Sequence, residues 1–210
     1  AVGGRAVLDA APQRARKAIK ERGLDLLLEL GEVTTLADVR DALDAVKNRW
    51  RRDPRMATVA LSGLARERRP GVAMQVLACM RERQVEVNSF HCSAAISACE
   101  KACAWELALV ALDRLFGLRI APDECPCNAA ISACASAAQW QRALAIFGEM
   151  SSLRLEPSDM SCGAAVGACK EGRQWQRALA LFTTMPLLRL APNVVTCNAA
   201  MSACEKGAQW

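Results

Sequence analysis

Residues 124–158 read ECPCNAAISACASAAQWQRALAIFGEMSSLRLEPS. The first part, Cys127 to Cys134, is rich in helix formers, and Cys127, Ile131 and Cys134 share one apolar stripe at helical spacing. Ser136, Ala137 and Ala138 interrupt the pattern. A second helical run follows from Trp140 to Met150, with Ala143, Ile146, Phe147 and Met150 on its apolar face. Leu155, Glu156 and Pro157 close the stretch, since proline cannot continue a helix. The whole reads as a helical hairpin.

That hairpin recurs. Trp105, Trp140, Trp175 and Trp210 stand 35 residues apart, and Cys99, Cys134, Cys169 and Cys204 keep the same step. So do Cys92, Cys127, Cys162 and Cys197, with Pro122, Pro157 and Pro192 between them. A fixed step of this size marks stacked units that each bury an apolar face against the next. The expected fold class is all-α: an α-α superhelix, a solenoid of 35-residue helical hairpins, right-handed and with a concave groove. The units fall at 54–88, 89–123, 124–158 and 159–193, with a partial unit at 194–210. In the first of these Pro70 replaces the tryptophan, while Ala73 to Met80 aligns with Ala143 to Met150. Residues 1–53 read as a basic helical leader, and whether 19–53 hold a further eroded repeat stays open. Within it Thr35 and Asp38 resemble a capping box opening a helix to about Trp50. A half-unit leaves its apolar stripe unpartnered, so the expectation is a piece of a longer array.

Composition narrows the function. The chain of 210 residues is 52% hydrophobic and 4% aromatic. No apolar run approaches the ~18 residues that span a bilayer, so no membrane partner is expected. The net charge of +5 is uneven: residues 1–88 hold 17 Lys and Arg against 12 Asp and Glu, whereas 89–210 hold 10 of each. Arg49, Arg51, Arg52, Arg55, Arg66, Arg68 and Arg69 cluster in the basic part, and Arg14, Arg16, Lys17, Lys20 and Arg22 precede them. Such clustering suits a polyanion, RNA foremost, or a solvated helical face.

The 11 cysteines suit neither disulfides nor zinc. Periodic cysteines seven apart on one helix are separated by ~10 Å, beyond the ~7 Å that a disulfide bridges. Zinc wants closely spaced pairs, often with histidine, and here Cys125 and Cys127 form one close pair beside the single His91. Cysteine as a small buried hydrophobe accounts for the pattern and fits a reducing compartment. No metal or other cofactor is expected. With one histidine and no glycine-rich phosphate loop, catalysis is not expected in this segment either.

The string from Pro192 to Cys204, PNVVTCNAAMSAC, resembles the opening of a pentatricopeptide repeat, and Gln141 to Met150 resembles that repeat's second helix. The resemblance covers residues 54–210, most strongly 89–210. The family's usual tyrosine before Asn198 is Cys197 here, and the chain contains no Tyr. The resemblance implies single-stranded RNA as partner, read at one base per repeat, in an organellar RNA processing, editing or stability factor of the mitochondrion or chloroplast. It implies that the fifth and last residues of each unit read the base: Thr58 with Asn88, Ser93 with Asp123, Asn128 with Ser158, and Gly163 with Asn193. Asn198 opens a further pair. By the family's rules these pairs favour adenine, guanine, a pyrimidine (cytosine foremost) and, weakly, a purine. The second residue of each unit, here Arg55, Phe90, Cys125, Met160 and Val195, would wedge between bases, with Phe90 the best stacking surface. Asn, Asp and Ser before a helix are also ordinary N-caps. A second reading keeps the solenoid as a protein-interaction scaffold without RNA binding.

Overall fold

A computed structural model of the chain describes residues 25, 27, 28, 35–117 and 123–207. Pro122, Trp210 and the basic residues from Arg14 to Arg22 lie outside them. The described residues form helices α1 (Leu36–Arg52), α2 (Arg55–Arg66), α3 (Pro70–Glu82), α4 (Ser89–Lys101), α5 (Trp105–Gly117), α6 (Glu124–Ser136), α7 (Trp140–Ser152), α8 (Asp159–Glu171), α9 (Trp175–Thr184) and α10 (Val194–Lys206). A short 3-10 helix, Met185–Leu188, extends α9. No strand occurs among the described residues, and no described helix is long and apolar enough to cross a membrane. The all-α hairpin array is the fold adopted.

The 35-residue step reaches down to the helix ends. After α6 the Ala138 N–H donates to the Ala135 carbonyl at 2.9 Å, and the Gln139 N–H donates to the Cys134 carbonyl at 2.8 Å. Ala138 is left-handed with φ 56°. This is a Schellman motif, which satisfies carbonyls that a helix end would orphan. Cys103 and Arg173 repeat it after α4 and α8, as Gln84 and Arg154 do after α3 and α7. Helix α7 therefore stops at Ser152, ahead of Pro157: the proline follows the end instead of causing it.

The first helices of the units, α2, α4, α6, α8 and α10, stack on one another in one continuous row. The second helices sit behind, each against the first helix of its own unit and of the next, and touch one another little. The row of first helices is the more closely packed of the two and is termed the inner row. Small residues permit that approach. Ala95, Ala98, Ala130, Ala133, Ala165 and Ala168 are buried, together with Cys92, Cys99, Cys127, Cys134, Cys162 and Cys169. Desolvation pushes the thiols of Cys99, Cys127, Cys134 and Cys169 up to about 11, so they stay neutral and behave as small apolar groups.

The tryptophans join unit to unit. The Trp140 ring lies flush against Gly172 of the following unit, where an added Cβ would stand 2.2 Å from Trp140 Cδ1. The Arg177 guanidinium sits 4.5 Å from the centroid of the same ring, a cation–π contact. Trp175 meets Gly207 in the same way.

Part of the basic cluster is committed to the fold. Arg40 forks onto Glu82 with bonds of 2.9 and 3.0 Å, and Arg83 pairs with Asp44 at 2.7 Å. Arg51 donates to the Arg83 carbonyl, and these contacts tie α1 to α3. Helix α1 opens on the capping box expected of Thr35 and Asp38. Arg49, Arg52, Arg55, Arg66 and Arg68 remain exposed.

Candidate nucleic-acid interface

The residues singled out as base readers all lie within the first five residues, or at the N-cap, of a first helix. The second residues form an outward row: Phe90 is 65% exposed, Met160 73% and Val195 68%, with Arg55 and Cys125 also exposed. Apolar side chains are thus left in water at successive helix starts, and of Phe90, Met160 and Val195 only Phe90 is aromatic.

The last residue of each unit is the N-cap of the next. Asn88, Ser158 and Asn193 each close a capping box with the third residue of the following helix, namely His91, Ser161 and Thr196. Asp123 caps α6 through the Cys125 N–H at 2.8 Å; it builds no box, because the third residue there is Pro126. Capping is thus a property of all four of these side chains.

The fifth residues differ more. Thr58 and Ser93 are half-buried, and the Ser93 hydroxyl donates to its own helix at the Ser89 carbonyl, 2.9 Å away. Asn198 is exposed on the last described helix. Gly163 offers no side chain; a Cβ there would meet Thr196 Cγ2 at 3.5 Å, ordinary contact. Asn128 is the buried one, 7% exposed, and accepts a 2.7 Å hydrogen bond from Ser161 Oγ. Ser161 also accepts from the Ser158 N–H at 3.1 Å and lies 3.2 Å from Ser158 Oγ. Asn128 and Ser158, far apart in sequence, therefore converge on one hydroxyl. Sequence reasoning passed over Ser161, although the Ser-x-x-Ser pattern from Ser158 is a capping-box signature.

Charge along the inner row is balanced. Glu171 takes Lys170 at 2.9 Å and Lys206 of the next unit at 2.6 Å. The Lys206 ammonium, then that of Lys170, hold its carboxyl below the usual range. In the first unit boundary His91 is fully buried: its Nδ1 accepts from the Asn88 N–H at 3.2 Å and its Nε2 lies 2.9 Å from the Pro54 carbonyl. Only the neutral Nε2–H ring satisfies both, and burial holds its pKa below the ordinary value.

Residues 126–155 match the family model described as PPR repeat. The fold is similar to that of the pentatricopeptide repeat protein PPR10 in complex with an 18-nt psaJ RNA element, with a TM-score of 0.66 at 16% identity over 80% of this chain and 25% of that one. It is also similar to PPR10 from maize, with a TM-score of 0.54 at 22% identity over 83% of this chain and 32% of that one. The chain thus spans between a quarter and a third of the length of these structures. No curated protein sequence matches it. Residues 126–155 thus match a PPR repeat, and the same 35-residue register runs through the neighbouring units.

Proposed function

We propose that the chain is a single-stranded RNA-binding module reading about one base per repeat, within an organellar factor for RNA processing, editing or stability in the mitochondrion or chloroplast. The observation that carries this reading is the placement of each fifth residue and each N-cap together on the inner row, with Asn128 and Ser158 meeting at Ser161. The pairs Thr58/Asn88, Ser93/Asp123, Asn128/Ser158 and Gly163/Asn193 then read successive bases, and Phe90, Met160 and Val195 stack beside them. Four pairs select a site that recurs about every 256 nucleotides by chance at one base per repeat. Specific recognition of one transcript needs more repeats than these. Because residues 89–210 hold 10 Lys and Arg against 10 Asp and Glu, affinity rests little on phosphates and depends modestly on salt.

Selection from a pool of single-stranded RNA tests the proposal. The expected outcome is an enriched run with adenine, guanine and cytosine at successive positions, lost at the third position when Asn128→Ala and Ser158→Ala are combined. A pool that emerges unenriched removes the RNA reading. It would favour the protein-interaction scaffold, which Gly163 and the neutral inner row also fit.

A further inference from the structure

We infer that Ser161 is a positioning residue for base recognition: it fixes the polarity with which Asn128 and Ser158 face the groove. The inference rests on the RNA-reading proposal. Ser161 is fully buried and belongs to the unit after the pair it serves. Its hydroxyl has one proton, and the 2.7 Å separation from Asn128 Oδ1 suits O–H···O better than N–H···O. That proton therefore goes to Asn128. Ser161 Oγ is left as acceptor for the Ser158 N–H at 3.1 Å and the Ser158 hydroxyl at 3.2 Å. The hydroxyl protons run one way, from Ser158 through Ser161 to Asn128, while the Ser161 N–H caps back onto Ser158 Oγ at 3.4 Å.

Two consequences follow for a bound base. With Oδ1 turned to Ser161, Asn128 points its NH2 donor the other way; that NH2 has no partner among the described residues and is not sealed from solvent. Ser158, having turned its proton inward, offers a lone pair. With Asn128 set against the ring nitrogen and Ser158 against the exocyclic group, this donor and acceptor complement a ring-nitrogen acceptor beside an exocyclic amine. That is the edge of cytosine (N3 and N4–H2) and of adenine (N1 and N6–H2). Uracil and guanine put a ring N–H against the donor instead.

The other boundaries lack this relay. Pro126 has no side-chain hydrogen-bonding group, Thr196 Oγ1 donates to the Asn193 carbonyl at 2.9 Å opposite Gly163, and the His91 ring reaches the Pro54 carbonyl. Polarity at 128 and 158 is thus set from outside the reading pair.

The test uses the whole chain and its Ser161→Ala, Ser161→Thr and Asn128→Asp variants. Each is checked for an unchanged melt and taken through selection from a random single-stranded RNA pool. Wild type is expected to enrich cytosine or adenine over uracil and guanine at one position. Ser161→Ala should cut that ratio roughly fivefold, about the worth of one buried hydrogen bond, and leave the neighbouring positions alone. Ser161→Thr should retain it, and Asn128→Asp, which presents an acceptor, should reverse it. A folded Ser161→Ala with the wild-type ratio overturns the inference, as does a wild-type preference for uracil or guanine there. A wild type that enriches no RNA defeats the function proposal alone; the relay is then judged by the Asn128 side-chain amide signals in 15N-labelled protein. Well-dispersed signals that collapse toward free-amide positions in Ser161→Ala uphold it, and identical signals in both proteins overturn it.

Discussion

At the start of α8, Ser158 and Ser161 cap the helix by exchanging backbone and hydroxyl hydrogen bonds; at the start of α10, Asn193 and Thr196 do the same. The preceding unit supplies Asn128 to one cap and Gly163 to the other. The two boundaries share a scaffold and differ in what is mounted on it. Stacking, capping and the tryptophan–glycine seam are satisfied without any side chain at the fifth position. A unit can therefore lose its fifth side chain and keep its place in the array. The fifth residue is free to vary because the fold does not rest on it.

Breaking the shared scaffold should have the largest effect. Gly172→Ala drives a Cβ into the Trp140 ring, where three ring and side-chain atoms lie within 2.9 Å of its site. The expected loss is about 1–3 kcal/mol in urea unfolding, the usual range for overpacking. In the preceding boundary the residues at these register positions are Ala137 and Trp105, so the array accepts an alanine there, which sets the lower end of the range. Base preference in the folded fraction should stay unchanged.

Equipping the silent boundary sharpens the comparison from the other side. Gly163→Asn places a Cβ at ordinary distance from Thr196 and relieves a glycine inside α8. Stability should rise by a few tenths of a kcal/mol, and RNA selection should show a new preference at the fourth position only. A variant that folds yet still ignores that base would mean that the fifth position does not face RNA.

The smallest effect belongs to the His91 boundary. The folded chain holds this imidazole neutral, with a pKa below its ordinary value. The unfolded chain therefore takes the proton first. Its contribution to stability is full above about pH 6.5 and is lost as the pH falls below that value. Urea midpoints measured on either side should show the drop, and His91→Gln should flatten it. A midpoint insensitive to pH in wild type would contradict the buried, neutral ring.

Much of the molecule was legible before any coordinates. The step that carries Trp140 to Trp175 locates both helices of each unit, and the stripe of Cys127, Ile131 and Cys134 is the stripe that is buried. Register alone also picks out Asn128 and Ser158. What stayed hidden has two physical sources. The turns place Ala138, Cys103 and Arg173 in left-handed conformations that glycine would ordinarily announce. The Ser161–Asn128 bond joins residues in different units, so a pattern read within one unit cannot reveal it. Arg51, read as part of the basic cluster, likewise donates across units to the Arg83 carbonyl.

The most direct measurement of the central claim is a transplant. Asn128→Ser with Ser158→Asp copies the Ser93/Asp123 pair into the next boundary, and both proteins go through the same selection from pooled single-stranded RNA. The account predicts that the preference at that one base moves from cytosine to guanine, the base assigned to Ser93 and Asp123, with the other positions unchanged. A base profile identical to that of wild type, from a variant that folds and binds RNA, would contradict it.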